Sequence, residues 1–158
     1  MSVTINTTIN GKAVSASAEA STSLLEFLRD TLEMKGSKLC CNTGECGACT
    51  VIYNGKPINT CVTMAADANG AQIITIEGLA DGDKLHPVQQ AFIDTGAVQC
   101  GYCTPGFIMS VKALLDRTKQ PTPADIEEAV SGNICRCTGY NKIVDAIHLA
   151  ADKIAGRA

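Results

Sequence analysis

Nine cysteines occur in this chain of 158 residues, and eight of them fall into two sets of four with different spacings. The first set runs Cys41-Asn-Thr-Gly-Glu-Cys46-Gly-Ala-Cys49, and Cys61 follows after eleven intervening residues. The second runs Cys100-Gly-Tyr-Cys103 and closes, after a long interval, with Cys135-Arg-Cys137. Four thiolates converging on one point are what a soft metal ion or an iron-sulfur cluster requires. The chemistry of the chain is therefore sought at two sulfur-rich sites.

The Cys-x4-Cys-x2-Cys…Cys order of the first set is the plant-type [2Fe-2S] spacing. Its short intervals let one loop wrap a cluster, with Cys61 arriving from a neighbouring hairpin. Gly44 and Gly47 suit a loop that takes positive φ and brings backbone N–H groups close to sulfur. A structural zinc site, a pair of disulfides and free buried thiols are the alternatives. Zinc sites usually pair two short Cys-x-x-Cys knuckles, and only one half of this set has that form. The second set is less specific by itself. Cys100 and Cys103 fit a redox pair or a zinc knuckle as well as a cluster. A single residue between Cys135 and Cys137 gives too cramped a bite for a good knuckle.

A Rieske centre needs two His ligands beside Cys. His86 and His148 have no cysteine near them in sequence; the first reads as a helix-start residue, the second as a surface or packing residue. Cys40 breaks the x4 spacing, so Cys41 is the better ligand. Cys40 is expected to be a small buried hydrophobe.

Two different kinds of scaffold are expected to carry these sets. Val3 to Ile9 alternates at period two, and Asn10-Gly11 predicts a hairpin into a second strand through Val14. Ser23-Leu-Leu-Glu26 is a capping box opening a helix with Leu24, Leu25, Leu28 and Leu32 on one face, closed by Gly36. Thr50–Tyr53 and Lys56–Thr60 form a second hairpin around Asn54-Gly55, and Gln72–Ile76 is a further strand. After Gly78 every element reads as helix: one from Pro87 to Ile93, one opened by Pro105, one from Ile126 to Val130, and one from Ile143 to Ile154. The boundary falls near residues 77–84, giving units 1–78 and 84–158. Cys103-Thr-Pro-Gly-Phe-Ile and Cys137-Thr-Gly-Tyr-Asn-Lys-Ile echo one another. A cluster between two helix N-termini would gain N–H···S bonds and two favourable dipoles.

The rest of the composition sets limits. With no Trp, three Phe and three Tyr, the core must come from aliphatic residues and Ala. A formal charge of -3 without any Lys/Arg cluster gives no footprint for nucleic acid. No stretch approaches the roughly 18 apolar residues of a membrane span. Ala-x-Ala near residue 16 lacks the basic and apolar regions of a signal peptide. Many cysteines without a secretory signal point to a cytoplasmic protein whose thiols serve metal or redox chemistry. There is no nucleophile–base constellation and no Gly-x-Gly-x-x-Gly, so the chain alone should catalyse nothing.

Three strings carry a resemblance. Lys38-Leu-Cys-Cys41-Asn-Thr-Gly-Glu-Cys46-Gly-Ala-Cys49-Thr-Val, Gln99-Cys100-Gly-Tyr-Cys103-Thr-Pro-Gly106 and Gly132-Asn-Ile-Cys135-Arg-Cys137-Thr-Gly-Tyr140 resemble the two-cluster iron-sulfur subunit of the xanthine dehydrogenase/aldehyde oxidoreductase molybdenum hydroxylases. The likeness covers essentially the whole chain. Its one departure is Cys40, where the family usually has Gly. The resemblance implies an α+β fold, with an N-terminal β-grasp, plant-type ferredoxin-like domain and a C-terminal four-helix bundle. It implies a first [2Fe-2S] cluster on Cys41, Cys46, Cys49 and Cys61 and a second on Cys100, Cys103, Cys135 and Cys137. It further implies that Gln99 and Cys137 approach the molybdopterin of a large partner subunit. The first cluster would face the exit, commonly an FAD-bearing subunit, within a hetero-oligomer. Electrons would then pass singly from partner to second cluster to first. A free-standing two-cluster carrier and a zinc-stapled interaction module are the competing readings. The helical second half argues against the carrier, which needs only the first domain.

Overall fold

The fold is that of a computed structural model, which describes residues 1–157. Five strands are present: β1 (Ser2–Ile9), β2 (Lys12–Glu19), β3 (Thr50–Tyr53), β4 (Lys56–Asn59) and β5 (Gln72–Ile74). They form one mixed sheet in the order β2-β1-β5-β3-β4. β1 pairs with β5 in parallel, and every other pairing is antiparallel. Both hairpins turn where Asn-Gly predicts. Asn10 and Gly11 have φ of 51° and 77°, Asn54 and Gly55 of 47° and 82°, as a two-residue turn with φ positive at both positions requires. Ile5, Thr7 and Ile9 of β1 point inward and are buried.

Ser23 caps the first helix as expected. Its hydroxyl accepts the Glu26 N–H, and Glu26 Oε2 accepts the Ser23 N–H at 2.9 Å. Helix α1 (Leu24–Glu26) then widens into a π-helical turn, Phe27–Thr31, with the Leu32 N–H donating to the Phe27 carbonyl at 3.1 Å. This brings Leu24, Leu25, Phe27 and Leu28 together as the buried face. Gly36 does not close the helix. The chain reverses at Glu33, which takes φ of 57°. Gly36 is required for a different reason. Its N–H donates to Glu77 Oε1 at 2.7 Å, and a Cβ there would run into the Ile76 and Glu77 side chains. The late strand is also shorter than its alternation suggests: it stops at Ile74, and Ile76–Gly78 forms a 3-10 turn.

The second half is four helices: α2 (Pro87–Asp94), α3 (Thr104–Arg117), α4 (Pro123–Val130) and α5 (Asn141–Ile154). Pro sits in the first turn of α2, α3 and α4, where its missing N–H costs nothing. His86 caps α2, its Nδ1 accepting the Val88 N–H at 3.2 Å, and Thr122 caps α4 in a capping box with Asp125. The α5 stripe Ile143, Ala146, Ile147, Ala150 and Ala151 packs with Val88, Phe92, Phe107, Val111, Leu114 and Ile126 as one core. A separate core under the sheet contains Ile5, Ile9, Leu24, Phe27, Leu28, Val51 and Ile73. No helix among the described residues is long and apolar enough to cross a membrane.

The two cores meet along α3, which packs on β3. Gly106 makes that approach possible. A Cβ there would overlap the Gly47 carbonyl and come within 3.1 Å of the Ala48 Cα, both backbone atoms that have nowhere to go. Gly106→Ala should therefore lower the thermal midpoint by an amount equivalent to about 1–3 kcal/mol, the usual cost of overpacking. Gly132→Ala, which meets nothing within 4 Å, should leave the midpoint unchanged. Ser23→Ala should cost about 1 kcal/mol in chemical denaturation. The Ser23 N–H and hydroxyl hold the Glu26 carboxyl below its ordinary 4.5. The capping contribution is thus complete above that value and fades as pH falls through the lower folded value. A Ser23→Ala penalty that stays constant from pH 7 to pH 3 would contradict this account.

Candidate metal centres

The loop from Ser37 to Cys49 carries three of the first four thiols, and left-handed residues shape it. Asn42, Gly44 and Gly47 have φ of 58°, 81° and 67°. The resulting curl aims the Thr43 and Cys46 N–H groups at the Cys41 sulfur, each at 3.4 Å. With the Thr43 hydroxyl as the largest contributor, these donors bring the Cys41 thiol down to about 5. Asn59 Nδ2 donates to the Gly44 carbonyl at 2.6 Å, and the Thr60 hydroxyl to the Cys49 carbonyl at 2.8 Å. The second hairpin thereby pins the loop. Cys61 follows that hairpin in a 3-10 turn, Thr60–Val62, beside Cys49 and Cys41. Burial, then the Cys49 sulfur, pushes its thiol up to about 12.

The second four thiols sit in two loops that each lead into a fourteen-residue helix. Cys100 and Cys103 precede α3, with Cys103 at its N-cap; Cys135 and Cys137 precede α5. The echo in sequence is thus an echo in structure. The sulfur-directed donors, however, come from the turn before α5 rather than from the helix itself. The Thr138 N–H reaches the Cys135 sulfur at 3.4 Å and its hydroxyl at 3.1 Å. Burial raises the Cys135 thiol, but these two bonds and the Cys137 N–H outweigh it and leave it lowered. Burial pushes the Cys103 thiol up to about 12, with Cys135 and Cys100 adding to the effect. Tyr140, at φ of 69°, accepts the Cys135 N–H on its hydroxyl at 3.0 Å and stacks edge-on against Phe107 at 6.2 Å.

Among the described residues, no three His, Cys, Asp or Glu side chains close on one point as a mononuclear ion would need. All nine cysteines are free thiols, and eight come two by two. The Cys41 sulfur neighbours Cys46, and Cys49 neighbours Cys61; Cys103 neighbours Cys135, and Cys100 neighbours Cys137. A [2Fe-2S] cluster takes four thiolates, two on each iron. Donor chemistry and pairing therefore both fit that group at each set.

Gln99, Cys100 and Cys137 are exposed together beyond the start of α3. Cys40 is exposed, not buried. The strand of loop before Cys41 runs over the surface, where the neighbouring Leu39 is 46% exposed and its carbonyl accepts the Tyr102 hydroxyl. The cross-links between the two sets went unread in the sequence. The Ile134 N–H donates to the Cys46 carbonyl at 3.0 Å, and Asn133 Nδ2 to the Gly47 carbonyl at 3.1 Å. Nothing local in the sequence signals them, since each joins residues far apart along the chain.

Residues 7–73 match the family described as 2Fe-2S iron-sulfur cluster binding domain, and residues 75–148 match the [2Fe-2S] binding domain. The chain is 49% identical over 153 residues to the nicotinate dehydrogenase small FeS subunit of Eubacterium barkeri, covering 97% of this chain and 98% of that one. It is 47% identical to the xanthine dehydrogenase iron-sulfur-binding subunit of Escherichia coli O157:H7, covering 92% of each. Quinoline 2-oxidoreductase from Pseudomonas putida 86 contains a chain that superposes with a TM-score of 0.92 at 38% identity, over 99% of both. Two thiol sets, an α+β fold and relatives of full length together make this chain a member of the small iron-sulfur subunits of the xanthine dehydrogenase/aldehyde oxidoreductase molybdenum hydroxylases, an electron-transfer subunit of a multi-subunit oxidoreductase.

Proposed function

We propose that the chain carries single electrons from the molybdopterin centre of a large partner subunit to an FAD subunit or another acceptor. Cys100, Cys103, Cys135 and Cys137 hold the [2Fe-2S] cluster reached first, and Cys41, Cys46, Cys49 and Cys61 hold the second in line. The observation that carries this reading is the pairwise grouping of thiols in two sets of four, joined by the Cys46–Ile134 backbone hydrogen bond. When bound, each cluster supplies one-electron acceptance and release near a potential set by its surroundings. The chain's own residues supply those surroundings. Thr43, Cys46 and Thr138 donate to ligand sulfurs, and burial of Cys46, Cys49 and Cys135 excludes water from the inner thiols.

Gln99 and Cys137 are the residues we assign to the pterin side, since both are exposed beside Cys100. Residues 1–78 and 84–158 are the two folding units, each with its own core. A reducing, cytoplasmic setting suits nine unbridged thiols. The purified complex should contain about four irons per copy of this chain and show two distinct S = 1/2 signals after dithionite reduction. One signal, or stoichiometric zinc, would overturn the two-cluster reading. Cys41→Ser should abolish the signal of the first set and leave the second largely intact, whereas Cys40→Gly should leave both. Loss of both signals from Cys41→Ser would contradict the division into two units.

A further inference from the structure

Asn133 is a buried polar side chain, 4% exposed, with both ends of its amide engaged. Its Oδ1 accepts the hydroxyl of Ser110, itself 6% exposed, at 2.7 Å; its Nδ2 donates to the Gly47 carbonyl at 3.1 Å. Ser110 belongs to the middle of α3. Gly47 lies between Cys46 and Ala48 in the first thiol loop, and Asn133 lies two residues before Cys135 in the last. One side chain thus ties a rigid helix to both thiol loops. The next hydrogen bond along is the backbone contact from the Ile134 N–H to the Cys46 carbonyl at 3.0 Å. That contact joins a residue bonded to Cys135 directly to the backbone of Cys46. It is a route between the sets made of covalent bonds and a single hydrogen bond.

Packing alone does not fix that contact. Ile134 is 54% exposed and has no buried side chain to anchor it. The Asn133 backbone N–H is already committed to the Val130 carbonyl at 2.9 Å, which closes the end of α4. The side chain is what remains to set the distance to the first loop. The fit on the other side is equally close, because a Cβ on Gly47 would collide with the Gly132 carbonyl and the Asn133 amide. An unmet buried amide on either side would be costly, so the pair holds one register.

We propose that Asn133, oriented by Ser110, is a positioning residue for electron exchange between the two centres. It holds the Cys46 carbonyl against the Ile134 N–H and so fixes the separation and coupling of the sets. This rests on the ligand assignment above, and it concerns residues that bind no iron. A purely structural role for Asn133 would loosen the whole junction or the whole chain. A positioning role acts on one hydrogen bond.

The test compares the holo complex carrying Asn133→Ala, Ser110→Ala or both with the unaltered protein. Hydrogen–deuterium exchange by mass spectrometry reads the segment 132–136, and EPR of the reduced protein reads the magnetic splitting between the two centres. Asn133→Ala should raise exchange in that segment about tenfold, equivalent to about 1.4 kcal/mol. It should also shrink the splitting, with both S = 1/2 signals still present. Ser110→Ala should move both readouts in the same direction by less, and remains informative if Asn133→Ala folds poorly. The double variant should match Asn133→Ala, because both residues act through one contact. Unchanged exchange and splitting in the single variants would overturn the proposal. So would exchange that rises equally in β1 and β2. Absence of two signals from the unaltered protein would count against the ligand assignment, while the exchange arm would still decide the role of Asn133.

Discussion

Two adjacent carbonyl groups, those of Cys46 and Gly47, sit where the sheet half and the helical half of the molecule meet, and both are buried from water. The Gly47 oxygen accepts the Thr50 N–H at 3.2 Å, the Thr50 hydroxyl at 2.7 Å and Asn133 Nδ2 at 3.1 Å; the Cys46 oxygen accepts the Ile134 N–H. Donors come from the loop's own continuation and from the other half of the chain. The sheet half pairs the Gly47 oxygen through Thr50, but the Cys46 oxygen takes its donor from the helical half, and an unpaired buried carbonyl costs about 1–3 kcal/mol. The thiol loop therefore takes its final shape only when α3 and the 132–134 turn are seated against it. Gly106 and Gly47 are small for the same reason, since each faces backbone across the junction.

The sulfur chemistry follows from that geometry. Burial and neighbouring sulfurs push Cys61 and Cys103 up to about 12, while hydrogen bonds bring Cys41 down to about 5 and lower Cys135. Each set thus mixes thiols that hold their protons with thiols that give them up readily. Ligation needs four thiolates, so loading must release protons from the high members and relieve the crowding of like groups. The N–H and hydroxyl groups around Cys41 and Cys135 are aimed at sulfur by the backbone of their own loops. That is preorganisation of the surroundings rather than of the ligands alone.

The spacing of the cysteines, the Asn-Gly hairpins, the capping box at Ser23 and the Pro-led helices were all readable, because each is local: a few residues determine the outcome. The α+β fold follows from the switch in periodicity after Gly78. The misreadings have a common cause. Gly36 looked like a helix stop and is instead a close-approach site for Glu77, forty-one residues away. Cys40 looked like core because cysteines usually are, yet the segment crosses the surface where Tyr102 holds the Leu39 carbonyl. Asn133 and Ser110 gave no signal, since a buried polar pair is defined by partners distant in sequence. The π-helical turn after α1 likewise answers the packing of Phe27 and Leu28 rather than any local propensity.

Exposure is distributed in a way that matches a conduit rather than a catalyst. Each set turns thiols inward, Cys46 and Cys49 in the first and Cys135 in the second, and the Ile134 N–H to Cys46 carbonyl hydrogen bond links the backbones beside Cys46 and Cys135. The outward members are Cys100 and Cys137 on one side, with half-buried Cys41 and Cys61 on the other. An electron arriving at the exposed pair and leaving at the half-buried one would cross the protein at the hydrogen-bonded seam between the two halves. A carrier with one domain could expose one cluster to two partners in turn. Fusing a second, helical unit through the Gly47 seam gives the chain two separate faces at which thiols approach the surface.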